Sequence, residues 1–413
     1  MIGPVADAAY LVAAAVAAPL WMRKQRTGWS ERFGRLDALP APAPDRPRLL
    51  IHAVSVGEVN LIRALVDDLS RDLDLVIATT TDTGTARAKE LYTGKAHLVR
   101  YPLDASWAVR RFLDAVRPDG AAMVELELWP NFASACRRRG IPLAIINGRL
   151  SDRSAGRYRA ARPLLGRYFR DLSFVAAQDE AYARRFVAAG AAGDRVRVVG
   201  SMKWDAAQTI DRVTGAEDLA RELGIDRGRP LIVVGSAAPE EISLVRDAAP
   251  SGVQLLCAPR RPEWFDDAAR DLPSCVRRSQ RKGGVGEASP TGRYLLDTIG
   301  ELRMAYALAD VAVVGRSFGE LFGSDPMEPA ALGKPVVIGP AVADFRTVVE
   351  TMRHEDAILQ TTREALPGVL ARLFENPAER TALGERALRC VLKHQGATGR
   401  HAALLRGMVG VES

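Results

Sequence analysis

A glutamate that follows the first predicted strand is the strongest candidate for acid–base chemistry in this sequence. Residues 49–54 form a short apolar run that predicts a buried strand, Gly57 permits a tight turn, and Glu58 then falls at a helix start. A carboxylate at that edge of a sheet could act as a general base on a hydroxyl group. It could equally serve only to complement the helix dipole and to cap free amide groups. Both interpretations fit the spacing.

Two further glutamates follow another apolar run, at residues 121–124. Glu125 and Glu127 are two residues apart, so in an extended strand they would point to the same side of the sheet. Unpaired buried charge is costly, which favours a role in a site. The alternative is a buried ion pair with one of the many arginines of the chain.

Basic residues and turn residues in the rest of the chain suit an anionic ligand. Lys203 could neutralise a phosphate or a developing anion, or could be a solvated lysine at a hinge. Ser236 follows a strand and precedes a helix, which suits an anion-binding turn. Arg260 and Arg261 follow another strand, and paired arginines suit phosphate or carboxylate groups. Glu328, near a helix start, could accept both hydroxyls of a ribose or complement the helix dipole.

These residues need a scaffold that brings the ends of several strands together. Short apolar runs alternate with helical patterns, which predicts βαβ units and parallel sheets with helices on both faces. Strands are predicted at 49–54, 75–78, 121–124, 143–146, 174–177 and 196–199, then at 231–234, 253–257, 294–296, 311–314 and 335–338, before a helical tail at 363–409. The pattern lapses around 200–215, which indicates a hinge. Ligands are expected at the carboxyl ends of the strands, in a cleft between two doubly wound domains.

Composition and motifs disfavour several classes of protein. The 413 residues are 47% hydrophobic and 26% charged, which is ordinary for a folded soluble body of two or three domains. The net charge of +7 suits an anionic partner, but no aromatic–basic stripe supports nucleic-acid binding. The four cysteines lie far apart, with neither a C-x-x-C pair nor a histidine at zinc-like spacing, so a disulfide framework or zinc ribbon is disfavoured. Dinucleotide-binding and P-loop motifs are missing from the sequence.

The start of the chain predicts an association with a membrane. Residues 5–22 are almost uncharged, with Asp7 as the one acid, and basic residues follow, which fits an anchor whose basic side is cytoplasmic. A helix in the membrane interface is the second interpretation and a plain core helix the third. A cleaved signal peptide is disfavoured, because its positive charge precedes the apolar run. Either membrane interpretation holds the chain at the inner leaflet.

Taken in order, the motifs resemble those of the 3-deoxy-D-manno-oct-2-ulosonic acid (Kdo) transferases of lipopolysaccharide synthesis. The resemblance covers nearly the whole chain, and its stretches are Trp29–Gly34, His52–Glu58, Glu125–Asn131, Asn147–Ser151, Ala176–Gln178, Gly200–Asp205, Pro259–Arg260, Asp297–Leu302 and Glu328–Ala330. Their joint order and spacing are highly specific. The resemblance implies an α/β fold of the GT-B glycosyltransferase class, with two Rossmann-like doubly wound domains facing a cleft. The implied parts are a membrane anchor or interfacial helix at 1–27, an acceptor-binding domain at 28–205, a CMP-sugar-binding domain at 206–395, and a C-terminal helix at 396–413 that packs back toward the N-terminal domain.

The resemblance also implies a reaction and the residues that perform it. The donor would be CMP-Kdo and the acceptor a lipid A precursor similar to lipid IVA, joined by an inverting displacement at the cytoplasmic side of the inner membrane. No metal, cofactor or nucleic acid is expected. Glu58 resembles the general base, Glu125 and Lys203 resemble stabilisers of the transition state, and Glu127 is a weaker candidate. With Ser236, the implied donor-binding residues are Pro259, Arg260, Arg261, Ile299, Gly300, Glu301, Asp325, Pro326, Met327 and Glu328.

The chain departs from the family pattern at three places. Arg261 replaces the usual histidine, Arg316 replaces a glycine, and Phe322–Asp325 replaces Gly-Gly-His-Asn. Asp325 would place a negative charge beside the expected phosphate, and Arg261 and Arg316 would compensate for it. Two other functions are considered: a GT-B transferase that uses a different CMP- or UDP-activated sugar, and a non-catalytic homologue that binds glycolipid. The retained Glu58 argues against the second.

Overall fold

The computed structural model describes residues 27–411 except 208, 211, 282, 285 and 288. These residues form two compact units, of which the first runs to Ala206 and resumes at Gln395, while the second comprises Ala207–His394. The division falls within residues 200–215, where the sequence pattern lapses. The membrane segment expected at 1–27 lies outside the described residues except for its last residue. In the described part of the chain, no helix has both the length and the apolar character needed to cross a membrane.

The first unit is built on a parallel sheet with helices on both faces. Its described strands are β1 (Arg48–His52), β2 (Asp74–Thr79), β3 (His97–Arg100), β4 (Gly120–Val124), β5 (Leu143–Gly148), β6 (Phe174–Ala177) and β7 (Val196–Val198). They pair in the order β3-β2-β1-β4-β5-β6-β7, always in parallel. The helices are α1 (Trp29–Arg32), α2 (Val56–Leu61), α3 (Arg63–Leu69), α4 (Asp82–Tyr92), α5 (Ser106–Val116), α6 (Pro130–Arg139), α7 (Asp152–Ala160), α8 (Arg162–Arg170), α9 (Glu180–Ala189) and the 3₁₀ helices Gly193–Arg195 and Met202–Ala206. Leu50 packs into the core on one face of the sheet, whereas Leu49 and Ile51 pack into the core on the other.

The second unit repeats this architecture. Its described strands are β8 (Leu231–Ala237), β9 (Gln254–Pro259), β10 (Val276–Arg277), β11 (Arg293–Leu295), β12 (Val311–Val314), β13 (Val336–Ile338) and β14 (Leu359–Gln360). They pair in parallel in the order β10-β11-β9-β8-β12-β13-β14. The helices are α10 (Ala216–Leu223), α11 (Pro239–Ala248), α12 (Phe265–Asp271), α13 (Leu302–Leu308), α14 (Met327–Ala330), α15 (Arg346–His354), α16 (Leu366–Glu375), α17 (Pro377–His394) and the 3₁₀ helices Pro262–Trp264, Arg278–Gln280 and Ala343–Phe345; the last helix, α18 (Ala397–Met408), belongs to the first unit.

The C-terminal helix α18 is tied to the first unit at both ends. Arg406 forms an ion pair with Asp68 at 3.0 Å. At the other end, the carboxylate of Asp205 accepts a hydrogen bond of 2.6 Å from the backbone N–H of Gly396. Asp205 belongs to the 3₁₀ helix Met202–Ala206, so α18 helps to hold the segment that contains Lys203.

Each sheet contains a switch point, which is the place at which the strand order reverses. In the first unit the reversal lies between β1 and β4, and in the second unit between β8 and β12. At such a point the chain leaves two neighbouring strands in opposite directions, which opens a crevice at the carboxyl ends of the strands. The loops after β1 and β4 flank one crevice, and the loops after β8 and β12 flank the other. Ligand-binding residues are expected on these loops.

The predicted fold of two doubly wound parallel-sheet units is confirmed. The strands expected from the apolar runs are all present, with ends that differ by at most three residues. Three strands were missed: β3 begins and ends with a basic residue, and β10 and β14 contain two residues each. Strands so short or so polar lack the apolar run by which a buried strand is recognised. The expected helical tail is present as α16, α17 and α18.

Candidate active site

Glu58 lies in the first turn of α2, just past the carboxyl end of β1. Its Oε2 accepts a hydrogen bond of 2.7 Å from the backbone N–H of Val54, and its Oε1 accepts one of 3.3 Å from the Ser55 hydroxyl. The half-buried side chain therefore folds back over the loop that ends the strand, in the manner of a helix cap. This capping contact holds the carboxylate at the crevice of the first unit.

Glu125 and Glu127 lie on the other side of this crevice, in the loop after β4. β4 ends at Val124, as the apolar run predicts, but the extended conformation that would point both glutamates to the same side does not continue, because Glu125 has a φ of 59°, in the left-handed region. Such a conformation is uncommon for glutamate, and strained backbone of this kind clusters at functional sites. Oε2 of Glu127 accepts a hydrogen bond of 3.0 Å from the indole N–H of Trp129. Its partner is therefore neutral, unlike the arginine of the ion-pair alternative.

The three carboxyl groups lie close enough to influence one another. Burial, reinforced by the carboxylates of Glu125 and Glu127, raises the pKa of Glu58 from 4.5 to about 7, although the hydrogen bonds from Val54 and Ser55 oppose this shift. Burial also raises the pKa of Glu127, and Glu125 adds to the effect. A glutamate that ionises near neutral pH is a stronger base than an ordinary one, so Glu58 is suited to remove a proton from a hydroxyl group.

We expect the substitution Glu58→Gln to stabilise the folded protein above neutral pH. The carboxyl ionises near its ordinary pKa of 4.5 in the unfolded chain but at about 7 in the fold, so the folded state holds the proton more tightly. Its contribution to wild-type stability is complete below the lower pKa and is lost as pH rises through the higher one, a loss on the order of 2 kcal/mol after allowance for partial exposure. Glutamine is neutral throughout and keeps an acceptor for the Val54 amide. Urea unfolding of wild type and Glu58→Gln at about pH 8 and about pH 4.5 measures the difference in their free energies of unfolding. The same difference at both pH values would contradict the prediction.

Lys203 is half-buried on the 3₁₀ helix before the unit boundary, and that helix packs against α2, which contains Glu58. The helix is held by Asn147, which is fully buried at the end of β5 with a φ of 50°. The side-chain Oδ1 of Asn147 accepts a hydrogen bond of 3.0 Å from the backbone N–H of Met202. The backbone N–H of Asn147 donates a hydrogen bond of 2.9 Å to Nε2 of His401. Residue chemistry alone did not single out Asn147, and its place in the stretch Asn147–Ser151 was the available signal.

His52, the last residue of β1, supports this strand end without being suited to act as a base near neutral pH. Its ring is fully buried and stacks on Tyr101, with 3.7 Å between the ring centroids, and its Nε2 lies 3.0 Å from the Thr80 hydroxyl. Burial lowers the pKa of His52 to about 3, so the imidazole is neutral. The group at this strand end that exchanges a proton near pH 7 is therefore the carboxyl of Glu58.

In the second unit, the loops after β8 and β12 approach each other closely. The prediction that Ser236 follows a strand is wrong, because β8 continues to Ala237 with an irregularity in its pairing at Ser236. Ser236 and Arg316, which comes shortly after β12, both have left-handed backbone, with φ values of 55° and 57°. Position 316 is where the resemblance implies glycine, which adopts this conformation without steric cost. Next to it, Gly315 has no room for a side chain, because a Cβ there would lie 2.6 Å from the Cα of Ala237. Strained loops that meet at a switch point are typical of a ligand site.

A buried glutamate that the sequence analysis missed joins these two loops. Glu241, in the first turn of α11, is fully buried. Its Oε2 accepts hydrogen bonds from the N–H groups of Ala238 at 2.8 Å and Arg316 at 2.6 Å. Its Oε1 accepts them from Ser317 at 2.7 Å and Phe318 at 2.9 Å. In the sequence Glu241 resembles any acidic residue at a helix start, and nothing there indicates that a distant loop returns to it.

The paired arginines lie on a turn beside the loop after β8. Pro259 ends β9, and the N–H of Arg260 donates to the carbonyl oxygen of Ala237 at 3.0 Å. The side chains of Arg260 and Arg261 are exposed. The guanidinium of Arg261 lies 5.1 Å from the ring centroid of Trp264, within range of a cation–π interaction. The structure therefore brings Arg260 and the end of β8 together.

Residues 299–301 form a turn between β11 and α13. Ile299 is 71% exposed, and Gly300 has a φ of 93°. The carboxylate of Glu301 forms an ion pair with Arg278 at 2.9 Å and accepts a hydrogen bond from the Thr298 hydroxyl. Arg278 is almost fully buried and was not singled out from the sequence. The ion pair between the buried Arg278 and Glu301 therefore stabilises the turn.

Asp325 and Pro326 end the loop after β12, and Met327 and Glu328 begin α14, which packs against α13. Oδ1 of Asp325 accepts a hydrogen bond of 2.8 Å from the N–H of Met327, while Pro326 and Met327 are buried. Burial raises the pKa of Glu328, and Arg303 opposes this shift. Arg316 is expected to compensate for the negative charge of Asp325, and in the structure its guanidinium lies 3.9 Å from the carboxylate of Asp344. All the candidate donor residues thus lie at the carboxyl ends of strands in the second unit or in the segments that follow them.

The chain is similar to known enzymes over nearly all of its length. The family model described as "3-Deoxy-D-manno-octulosonic-acid transferase (kdotransferase)" matches residues 27–206. The 3-deoxy-D-manno-octulosonic acid transferase of Bordetella pertussis is 34% identical, with 95% of each chain covered. The enzyme of the same name from Haemophilus influenzae is 29% identical, with 93% of this chain and 92% of that protein covered.

The fold is also similar to that of solved structures. The crystal structure of MurG from Acinetobacter baumannii superimposes with a TM-score of 0.57 at 15% identity, and the alignment covers 87% of this chain and 99% of that one. At this identity the likeness concerns the fold alone, and it agrees with two parallel-sheet α/β units of the GT-B kind. Together with the identity to the Bordetella pertussis enzyme across 95% of both chains, these findings show that the chain belongs to the 3-deoxy-D-manno-octulosonic acid transferase family of glycosyltransferases.

Proposed function

We propose that this protein transfers Kdo from CMP-Kdo to a lipid A precursor similar to lipid IVA, with Glu58 as the general base. Family membership supports the transfer of Kdo. The observation that carries the assignment of the base is the carboxyl cluster at the switch point of the first unit, where burial and two neighbouring glutamates raise the pKa of Glu58 to about 7. A base with a pKa near the working pH is the most effective one for removing a hydroxyl proton.

The proposed chemistry is a single inverting displacement. A hydroxyl oxygen of the acceptor attacks the anomeric carbon of Kdo, its proton passes to Glu58, and the bond from that carbon to the phosphate oxygen breaks. CMP leaves with the electron pair of this bond. Lys203 would stabilise the negative charge that develops on the phosphate, and Glu125 would stabilise positive charge at the sugar carbon.

The donor would bind at the carboxyl edge of the second sheet. Arg260 and Arg261 would contact the phosphate, since guanidinium groups match its geometry. The backbone of Ile299 and Gly300 would contact the nucleotide, because the carboxylate of Glu301 is already paired with Arg278. Glu328 would accept the hydroxyls of the ribose. Ser236 would supply a hydrogen bond from the carboxyl end of β8.

The acceptor implies a membrane surface, and we propose that residues 1–27 bind the cytoplasmic side of the inner membrane. The support is the sequence itself, in which an apolar run is followed by basic residues. Lys and Arg near a membrane surface attract anionic head groups. Residues 1–27 would then keep the enzyme beside its lipid substrate.

The proposal is tested by incubating the purified full chain with CMP-Kdo and a lipid A precursor and following both CMP release and the glycolipid product. Release that depends on the acceptor is expected. CMP-activated sialic acid and UDP-glucose, supplied in parallel, test the alternative donors. Turnover with one of them but not with CMP-Kdo would refute the proposed donor. Binding of the precursor without any turnover would instead indicate a non-catalytic glycolipid-binding protein.

We expect the rate to rise with pH up to about 7, the pKa of Glu58, and to be level above it. The base must be ionised to accept a proton, so kcat/KM below this pKa should fall about tenfold for each pH unit. Glu127→Gln removes one of the negative charges that raise the pKa of Glu58, so it should move the acid limb to lower pH. The matched control is Glu180→Gln, an exposed glutamate at the start of α9 in the same unit. If wild type, Glu127→Gln and Glu180→Gln all show the same dependence of kcat/KM on pH, Glu58 is not the group whose ionisation sets the acid limb.

A further inference from the structure

Three side chains of types that bind metal ions meet at the C-terminal ends of two helices in the second unit. Glu355 directly follows α15, while Cys390 and His394 lie four residues apart on α17. Residues at this spacing share one face of a helix. One ligand atom from each of the three residues lies within 4.8 Å of the other two, and Oε1 of Glu355 lies 3.0 Å from Nε2 of His394.

We propose that Glu355, Cys390 and His394 bind a zinc ion. A carboxylate, a thiolate and an imidazole are the three kinds of ligand that zinc takes from proteins, and a water molecule would complete a tetrahedral site. Zinc ligand atoms in such a site lie about 3.2 to 3.7 Å apart. The set therefore needs a contraction on the order of 1 Å at its widest, which rotation of the side chains can supply.

The cysteine of the cluster is buried, whereas the glutamate and the histidine are partly exposed. Cys390 is 1% exposed, whereas the side chains of Glu355 and His394 are 20% and 30% exposed. An ion would therefore enter from the side of the carboxylate and the imidazole and reach the thiol at the base of the site. Cys390 and His394 do not have the spacing of a zinc ribbon, and Glu355 joins them because the segment that follows α15 lies against α17.

Lys393 is the competitor for this site. Its Nζ lies 2.7 Å from Oε1 of Glu355, and its side chain is 66% exposed. The ammonium group can therefore leave the carboxylate for solvent when an ion binds. A purely structural alternative is that Lys393, His394 and the thiol of Cys390 only hold Glu355 in place by hydrogen bonds. The two interpretations differ in what the thiol and Lys393 contribute.

A bound ion would stabilise the structure of the second unit. It would link the end of α15 to the end of α17 and would stabilise the second unit in proportion to the logarithm of the free metal concentration. This site is independent of the proposed sugar transfer, since the candidate donor residues come from other segments of the second unit.

Titration of the untagged full chain with Co²⁺, followed by competition with Zn²⁺, tests the proposal. We expect one equivalent of Co²⁺ to produce the ultraviolet charge-transfer band of a thiolate–cobalt bond and the visible bands of a four-coordinate ion, and Zn²⁺ to remove both. Cys390→Ser should abolish the ultraviolet band, and His394→Asn should weaken binding at least tenfold. Cys275→Ser is the matched control, because Cys275 is a half-buried cysteine of the same unit that lies outside the cluster, and it should leave the spectrum unchanged.

Lys393→Ala separates the two interpretations without removing a ligand. A zinc site predicts that this variant binds Co²⁺ at least as tightly as wild type, because a competing cation is gone. A protein that shows no thiolate–cobalt band, a band that survives in Cys390→Ser, or a loss of binding in Lys393→Ala would overturn the proposal. Circular dichroism of each variant checks that it is folded, and the wild-type titration alone decides the matter if a cysteine variant is not.

Discussion

Glu58→Gln is expected to lower the rate of Kdo transfer by about 10²- to 10⁴-fold, the usual contribution of a general base. Glutamine keeps the shape of the side chain and a carbonyl oxygen that can accept the hydrogen bond from Val54, which wild-type Oε2 accepts at 2.7 Å. The cap of the loop after β1 is therefore preserved, while the ability to take a proton is lost. The measurement is the initial rate of CMP release with the acceptor at saturation.

Two comparisons make this result specific. Glu90→Gln is the control, because Glu90 is an exposed glutamate on α4 of the same unit, and the variant should keep the wild-type rate. Donor affinity, measured by calorimetry with CMP, should be the same in wild type and Glu58→Gln. A rate within threefold of wild type would remove Glu58 from the role of base. A variant that is both inactive and more stable above neutral pH would show the conflict between stability and function that is common at active sites.

Glu241→Ala should destabilise the second unit by about 3 to 5 kcal/mol, because buried N–H donors lose an ionisable partner and are left unsatisfied. The four donors are the amides of Ala238, Arg316, Ser317 and Phe318. Since these amides belong to the two loops at the switch point, the affinity for CMP should also fall, by at least tenfold. Urea unfolding measures the first effect and calorimetry the second.

The neighbouring residue provides a matched control for this prediction. Glu240 is exposed on the same helix, and Glu240→Ala should change stability by no more than about 0.5 kcal/mol. Because the chain has two units, unfolding need not follow a single transition, so hydrogen exchange gives a local check. The amides of residues 316–318 should lose protection in Glu241→Ala and keep it in Glu240→Ala. Unchanged protection would show that other contacts hold the loop.

The pattern of apolar runs is sufficient to predict the architecture of the two sheets. A strand buried on both faces must be apolar along its whole length, so runs such as Leu49–Ile51 and Val311–Val314 are visible without any tertiary information. The order of runs and helical patterns then fixes the class of fold. The motifs also identified Glu58, Glu125 and Lys203 as candidates, because residues that follow strands in a parallel sheet gather at one edge.

Contacts between distant parts of the chain determine which of these residues influence one another and which other residues hold them in place. The pKa of Glu58 depends on burial and on two carboxylates more than sixty residues away along the chain. The left-handed backbone of Glu125 arises directly after β4 ends, and the apolar run that predicts the strand carries no signal for it. Glu241 and Asn147 have no distinctive sequence pattern, and their roles come from hydrogen bonds to residues far away along the chain. Hydrogen bonds and electrostatic interactions depend on distance in space, and spacing along the chain gives that distance only within a single helix or strand.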